Sequence, residues 1–417
     1  MTQSPTHPAA ASTPAPCLYA HDAHSILPVL AAHLPHSITV FRRLQHGLAY
    51  PSSTAKILAT FPPGVTPTAT ATPWLAARVD LFRGRETQML IYSSLEAEHT
   101  SIDPISPVAQ CNGAATTTPG PDTISYYAAT FATATPAALD TVRAQLLALL
   151  AHVKTHLLPE YLSSLPAAPS AEAPSAMAPA LSSPPSSSSL LTSSSSSSSP
   201  SSSPKSSDVA LIPPPDPHAF LIGALHTALY TLLTCSSSFP SPNQPFNPLP
   251  GLRIHRIDNP PTTNFSSPVP RYRYHNNAGL LGVQPAHLDL VQSRTHIPRS
   301  RAQLSTMPSV AVYCDAESGT EEAPIAWAFL GMDGAVATLF VEPAHRGRGL
   351  ALSLSRETMR CGMDAEGVFG DVGVQGASGA DWVHTEVAQN NRASARVMEK
   401  IGGEVLSTVM WTVVEVL

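Results

Sequence analysis

The stretch "VEPAHRGRGLALSLSRETM", Val341 to Met359, alternates Arg346 and Arg348 with Gly347 and Gly349 at the mouth of a helix-like segment. A helix N-terminus carries backbone N–H groups without intrahelical partners and the positive end of the helix dipole. Gly347 and Gly349 let the main chain bend tightly and approach a ligand with no Cβ in the way. An anion such as a phosphate fits that combination. An ordinary strand–loop–helix connection with a solvated basic loop fits it as well. Further on, "DWVHTEVA" places His384 and Glu386 on one face of an expected strand, where an imidazole and a carboxylate could move a proton directly or through water. No P-loop, nucleophile elbow or HExxH pattern offers a competing chemistry.

The elements that must position these groups follow from the pattern of apolar residues. "SVAVYCD", "PIAWAFLG" and "GAVATLFVE" read as three successive strands, and "RGLALSLSRETMRCG" as the helix after the loop. "DWVHTEVA" follows as a strand, "NRASARVMEKIG" as a helix and "EVLSTVMWTVVEVL" as one or two closing strands. In the first half, "PWLAARVDLFRGRETQMLIYSSLE" alternates as two strands about Arg83-Gly84-Arg85. Val142, Leu146, Leu149, Leu150, Val153 and Leu157 form a stripe at helical spacing. "PHAFLIGALHTALYTLLTC" is apolar nearly all round and reads as a buried helix. Strands followed by alternating strand and helix indicate an α/β layer architecture.

Arg346-Gly347-Arg348-Gly349-Leu350-Ala351 resembles the R/Q-x-x-G-x-G/A loop of the GNAT acyltransferase superfamily, and the flanking strand and helix match its context. Asn391 to Gly403, "NRASARVMEKIGG", resembles that superfamily's second signature. "PIAWAFLG", "LFVEP" and the Asn391 helix look closest to the glycine N-acyltransferase-like branch. The resemblance covers about 272–417; the first half matches the smaller N-terminal half of those enzymes only loosely. It implies a GNAT fold, a mixed and mostly antiparallel central sheet flanked by helices. It also implies an acyl-CoA co-substrate, no metal, and attack of a small-molecule amine or amino acid on the thioester.

By the same resemblance, the amides from Gly347 to Ala351 would hold the coenzyme A diphosphate, with Arg346 and Arg348 adding charge. Leu339, Phe340 and Val341 would pair with the pantetheine arm, and Asn391 would orient its helix near the cofactor. A plain N-cap role for Asn391 is an equal alternative. Glu342, His384 and Glu386 are the candidates for general base. Each also has a structural alternative: Glu342 paired with Arg346 or Arg348, His384 a satisfied core histidine, Glu386 facing solvent. Met398 stands where many members have a tyrosine that protonates the departing thiolate, so either that acid is dispensable or the chain is a CoA-binding or interaction module without turnover.

Composition narrows the classes. The 417 residues carry a formal charge of −6 and only 12% charged residues, so no basic footprint for nucleic acid is expected. No apolar run reaches transmembrane length and the start lacks a signal-peptide pattern, so no membrane partner is expected. Cys17, Cys111, Cys235, Cys314 and Cys361 are scattered, which supports neither a disulfide framework nor a zinc site and points to a reduced, cytoplasmic or nuclear protein. With 43 prolines, well above the usual ~5%, much of the chain is loop. The expected organisation is a disordered tail (1–17), an α/β half (18–165) and a Ser/Pro-rich disordered linker (166–208). A helical or irregular connector (209–271) and the acyltransferase domain (272–417) follow. Ser183, Ser199 and Ser203, each before proline, could be kinase sites in what is otherwise a passive spacer. Trp327, Trp382 and Trp411 are expected in the core.

Overall fold

The computed structural model describes residues 16–67, 72–84, 86–105, 126–165, 216–234, 252–257, 272–295, 297, 299–314, 322–364, 367–370, 382–388 and 391–417. The Ser/Pro-rich linker, with Ser183, Ser199 and Ser203, lies outside the described residues, as do Cys111, Cys235 and most of the Gly-rich loop before Trp382.

In chain order the first half holds β1 (Tyr19–Ala20), α1 (Ala23–Ala31), α2 (Ile38–Ala49), β2 (Lys56–Ala59), β3 (Leu75–Val79), β4 (Met89–Ser93) and α3 (Leu95–His99). Then come β5 (Ser101–Ile105), β6 (Tyr126–Thr130), α4 (Pro136–His152), a π-helical turn (Val153–Leu157) and α5 (Leu158–Ser164). The second half holds β7 (Ala219–His226), α6 (Thr227–Thr234), β8 (Leu252–Ile257), β9 (Tyr272–Arg273), α7 (Leu288–Arg294), α8 (Arg301–Ser305) and β10 (Ser309–Cys314). It closes with β11 (Ala326–Leu330), β12 (Val336–Val341), α9 (Leu350–Met363), α10 (Arg392–Ile401) and β13 (Val409–Val416).

Two main sheets result. The larger runs β1-β2-β3-β4-β7-β13-β8, antiparallel except for the parallel contact of β4 with β7. The smaller is fully antiparallel in the order β12-β11-β10-β9. The fold is therefore mixed α/β with mostly antiparallel sheets flanked by helices. Every residue of β3 and β4 is buried. On one face, α4 lays Val142, Leu146, Leu149 and Leu150 into the same core as Leu75, Val79 and Ile91, following the stripe read from the sequence. Thr135 starts that helix by accepting the Ala138 N–H at 3.2 Å, with Pro136 in its first turn. The opposite face is covered by α1 and α2.

Three readings are corrected. The segment from His218 to Cys235 is not one helix: β7 occupies its first half, between β4 and β13, and α6 follows. An apolar run buried on both faces has no periodicity that separates strand from helix. The closing strand expected from the sequence is present: β13 pairs with β7 and β8 in the larger sheet, so the last residues of the chain complete a sheet begun by the first. "DWVHTEVA" makes only one bridge, parallel, between His384 and Ala335. Trp327 is fully buried, whereas Trp382 is 41% exposed, because its segment leaves the sheet.

Arg42 ties the halves together. Fully buried on α2, it donates to Gln45 Oε1 at 2.7 Å, to the Phe369 carbonyl at 3.0 Å and to the Trp382 carbonyl at 2.8 Å. Gly334 is required against it, since a Cβ there would sit 2.8 Å from Arg42 Cγ. Gly362 lets α9 close onto β11, where a Cβ would stand 1.8 Å from Leu330 Cδ1.

Glu96 makes stability depend on pH. It is buried in α3 and accepts the Ser93 N–H at 2.9 Å, and burial pushes its carboxyl up to about 8. A folded pKa above the unfolded value means that the native state holds the proton longer. The contribution is complete below about 4.5 and is lost as pH rises towards 8. Chemical denaturation in steps from pH 6.5 to 8 is expected to show falling stability, and Glu96→Gln should flatten that fall. An unchanged slope in the variant would place the titration elsewhere.

Candidate functional site

β12 is an edge strand with an irregularity at its centre. Ala326 pairs with Val341 and Trp327 with Phe340, but the register shifts before Phe329 pairs with Ala337. Thr338 lies in the slip, with φ +53 and a buried hydroxyl that has no partner. A β-branched residue in the left-handed region is strained, and such strain gathers at functional positions. Beside β12, the His384 main-chain carbonyl accepts the Val336 N–H at 3.0 Å and Thr385 donates its hydroxyl to the Val336 carbonyl at 3.1 Å. No further pairing across this edge is found among the described residues. The Glu342 N–H donates inward to Ile325 at 2.9 Å. By alternation, the main-chain groups of Leu339 and Val341 face the open edge. The Phe340 ring turns back and stacks on Trp327, with centroids 5.1 Å apart.

At the far end of β12 lies the glycine turn. Gly347 (φ +73) and Gly349 (φ +79) are both left-handed, and Gly349 caps α9. The amides from Gly347 to Ala351 have no acceptor among the described residues, so a short row of N–H groups fronts the helix. The arginines are partly engaged. Arg346 Nε donates to the Val341 carbonyl at 2.9 Å, and Arg348 donates to the Tyr272 hydroxyl at 3.0 Å. Each keeps further N–H groups for an anion. Asn391 is a working N-cap, its Oδ1 accepting the Ser394 N–H at 3.1 Å. Met398 is buried with Leu330, Val336 and Phe369. It is a core side chain here.

The three candidate bases separate. Glu342, at the C-terminal end of β12, accepts from Arg294 Nε at 2.9 Å. His384 and Glu386 stand near the start of β12 and gather with Asp333, their ligand atoms all within 4.8 Å of one another. Asp333 was missed in the sequence because "GMDGAV" reads as a hairpin turn. Its Oδ1 does hold that turn, accepting the Ala335 N–H at 3.1 Å. Both ring nitrogens of His384 are buried without a partner. Burial above all lowers the His384 pKa and Arg42 lowers it further, against Asp333, which raises it; the ring is neutral. Burial first, and Asp333 second, hold Glu386 well above the ordinary carboxylate range, against the pull of Arg299. A neutral imidazole beside a carboxylate with raised affinity for a proton can take a proton from an ammonium. The same three side chains could hold a divalent cation, but the guanidiniums of Arg42 and Arg299 already bring positive charge against them.

An edge strand with a bulge, an amide row on the following helix and an adjoining splayed segment are the features that the resemblance to the acyltransferase superfamily implies. A family model described as the acyl-CoA N-acyltransferase verG N-terminal domain matches residues 13–265, more than half of the chain. The chain belongs to that family. The match ends before the glycine turn and says nothing of Gly347 and Gly349. No curated protein sequence matches the chain. A solved structure of a Drosophila protein aligns over 95% of each chain at 8% identity with a TM-score of 0.40, a likeness too slight to argue from. No helix among the described residues is long and apolar enough to cross a membrane.

Proposed function

We propose that the chain transfers an acyl group from acyl-CoA to the nitrogen of a small-molecule amine or amino acid in a ternary complex, as in the glycine N-acyltransferase-like branch. The observation that carries the reading is the open, bulged edge of β12 between the amide row and the Asp333–His384–Glu386 cluster. The diphosphate lies on the amides of Gly347 to Ala351, and the pantetheine runs beside Leu339, Phe340 and Val341 as an added strand. The thioester carbonyl then reaches Thr338, where main-chain amides released by the bulge face the developing oxyanion. Glu386 takes a proton from the acceptor ammonium, with His384 beside it, and the amine nitrogen attacks the carbonyl carbon. The remaining extra proton on the nitrogen passes to His384, and the tetrahedral intermediate collapses with loss of the CoA thiolate. Met398 supplies no proton, and the thiolate is a fair leaving group without one. The reading needs no metal, nucleic acid or membrane, and takes the cytoplasm as the site of action.

The test is release of free thiol from acetyl-CoA and longer acyl-CoAs across a panel of amines, read with a thiol reagent. Amine-dependent release is expected. Coenzyme A binding with no release on any amine would make the chain a CoA-binding module instead.

A further inference from the structure

A cavity of about 430 Å³ is lined by Arg43, His46, Arg78, Arg83, Glu86 and Gln303, among others. It lies between α2, β3 and α8. Its charges do not cancel. Arg78 reaches Asp80 at 3.4 Å, and Arg83 reaches Glu86 at 3.3 Å. Arg43 is 3% exposed, its Nη2 is buried without a hydrogen bond, and no carboxylate lies within ion-pair distance of it among the described residues. Burial, with Arg78 and Arg83 nearby, pulls its pKa down to about 9, so it still carries its charge at neutral pH. A buried guanidinium with neither counter-ion nor full hydrogen bonding is costly unless something completes it. His46 does not add a second charge, because burial above all lowers its pKa to about 4; its Nε2 is buried and unpartnered. The cavity thus presents a buried cation without an ion pair, offset only at longer range by Glu86 and Asp333, beside a neutral imidazole.

Its position links it to the chemistry. Asp333 acts electrostatically on both Arg43 and Glu386, and Arg83 donates to Met332 Sδ, one residue before Asp333, at 3.0 Å. We propose that this cavity is a carboxylate site in which Arg43 binds an acidic group of the amine acceptor and turns its nitrogen towards Asp333, His384 and Glu386. The acceptor half of this proposal rests on the acyl-transfer reading; the anion site does not.

The test uses the full chain with acetate and acetamide as an isosteric pair, at matched ionic strength. Acetate is expected to raise the melting temperature by roughly 2–4 °C over acetamide. Arg43→Met should abolish that difference, and Arg43→Lys should restore part of it. Equal shifts from the two probes, or an acetate effect surviving Arg43→Met, would overturn the site. In turnover, Arg43→Met should raise KM for an α-amino acid by roughly ten- to a hundredfold. It should leave KM for the matching amino acid amide and for acyl-CoA unchanged. Acetate binding without thiol release on any amine would keep the anion site and remove the transferase reading. Thiol release indifferent to the carboxylate and to Arg43 would do the reverse.

Discussion

Glu386→Gln lowers kcat by roughly 10²–10⁴-fold, the usual contribution of a positioned general base, and leaves coenzyme A affinity unchanged. Glutamine keeps the shape and loses only the site for the proton. In the unaltered chain the rate rises with pH, because the carboxylate form is the active one. Burial and Asp333 place that limb above the ordinary carboxylate range. Asp333→Asn removes a neighbouring negative charge, which favours ionised Glu386 and moves the limb to lower pH. Replacing Arg299 removes a positive charge and moves it the other way. Steady-state rates from pH 5 to 9 on the three variants test this. Activity retained in Glu386→Gln with the limb in place would take the base role from Glu386. Glu342 then becomes the next candidate, at the cost of breaking its contact with Arg294.

Gly349→Val weakens coenzyme A binding by roughly a hundredfold, about 2.7 kcal/mol. Two effects act together. Gly349 sits at φ +79, where a side chain costs about 1–2 kcal/mol, and relaxing that strain turns the first amides of α9 away from the ligand. Gly347→Ala is the milder companion. It shares the left-handed strain at φ +73, but its Cβ would meet nothing within 4 Å, so only a few-fold loss is expected. Equal affinities in Gly349→Val and the unaltered chain would mean that the turn does not hold the diphosphate.

Local chemistry made part of this legible in the sequence. Two glycines between a strand and a helix specify left-handed turns, and Asn391 ahead of an amphipathic segment specifies a cap. Both depend on neighbours in the chain. The stripe of α4 was readable for the same reason. Asp333 was not, since its turn role is local but its proximity to His384 comes from the pairing of Ala335 with a residue far along the chain. Arg42 and Arg43 look like the solvated face of a short helix. Only tertiary packing shows that both are buried and that carbonyls from beyond residue 360 receive the first of them. β7 was hidden by its own uniformity, because a strand covered on both faces carries no alternation.

Titration calorimetry of the full chain with coenzyme A, and separately with pantetheine, isolates what the diphosphate contributes to binding. If the amides at the mouth of α9 bind the diphosphate, coenzyme A binds at least about a hundredfold more tightly than pantetheine, which lacks that group. No heat with coenzyme A, or equal affinities for the two, would contradict the account.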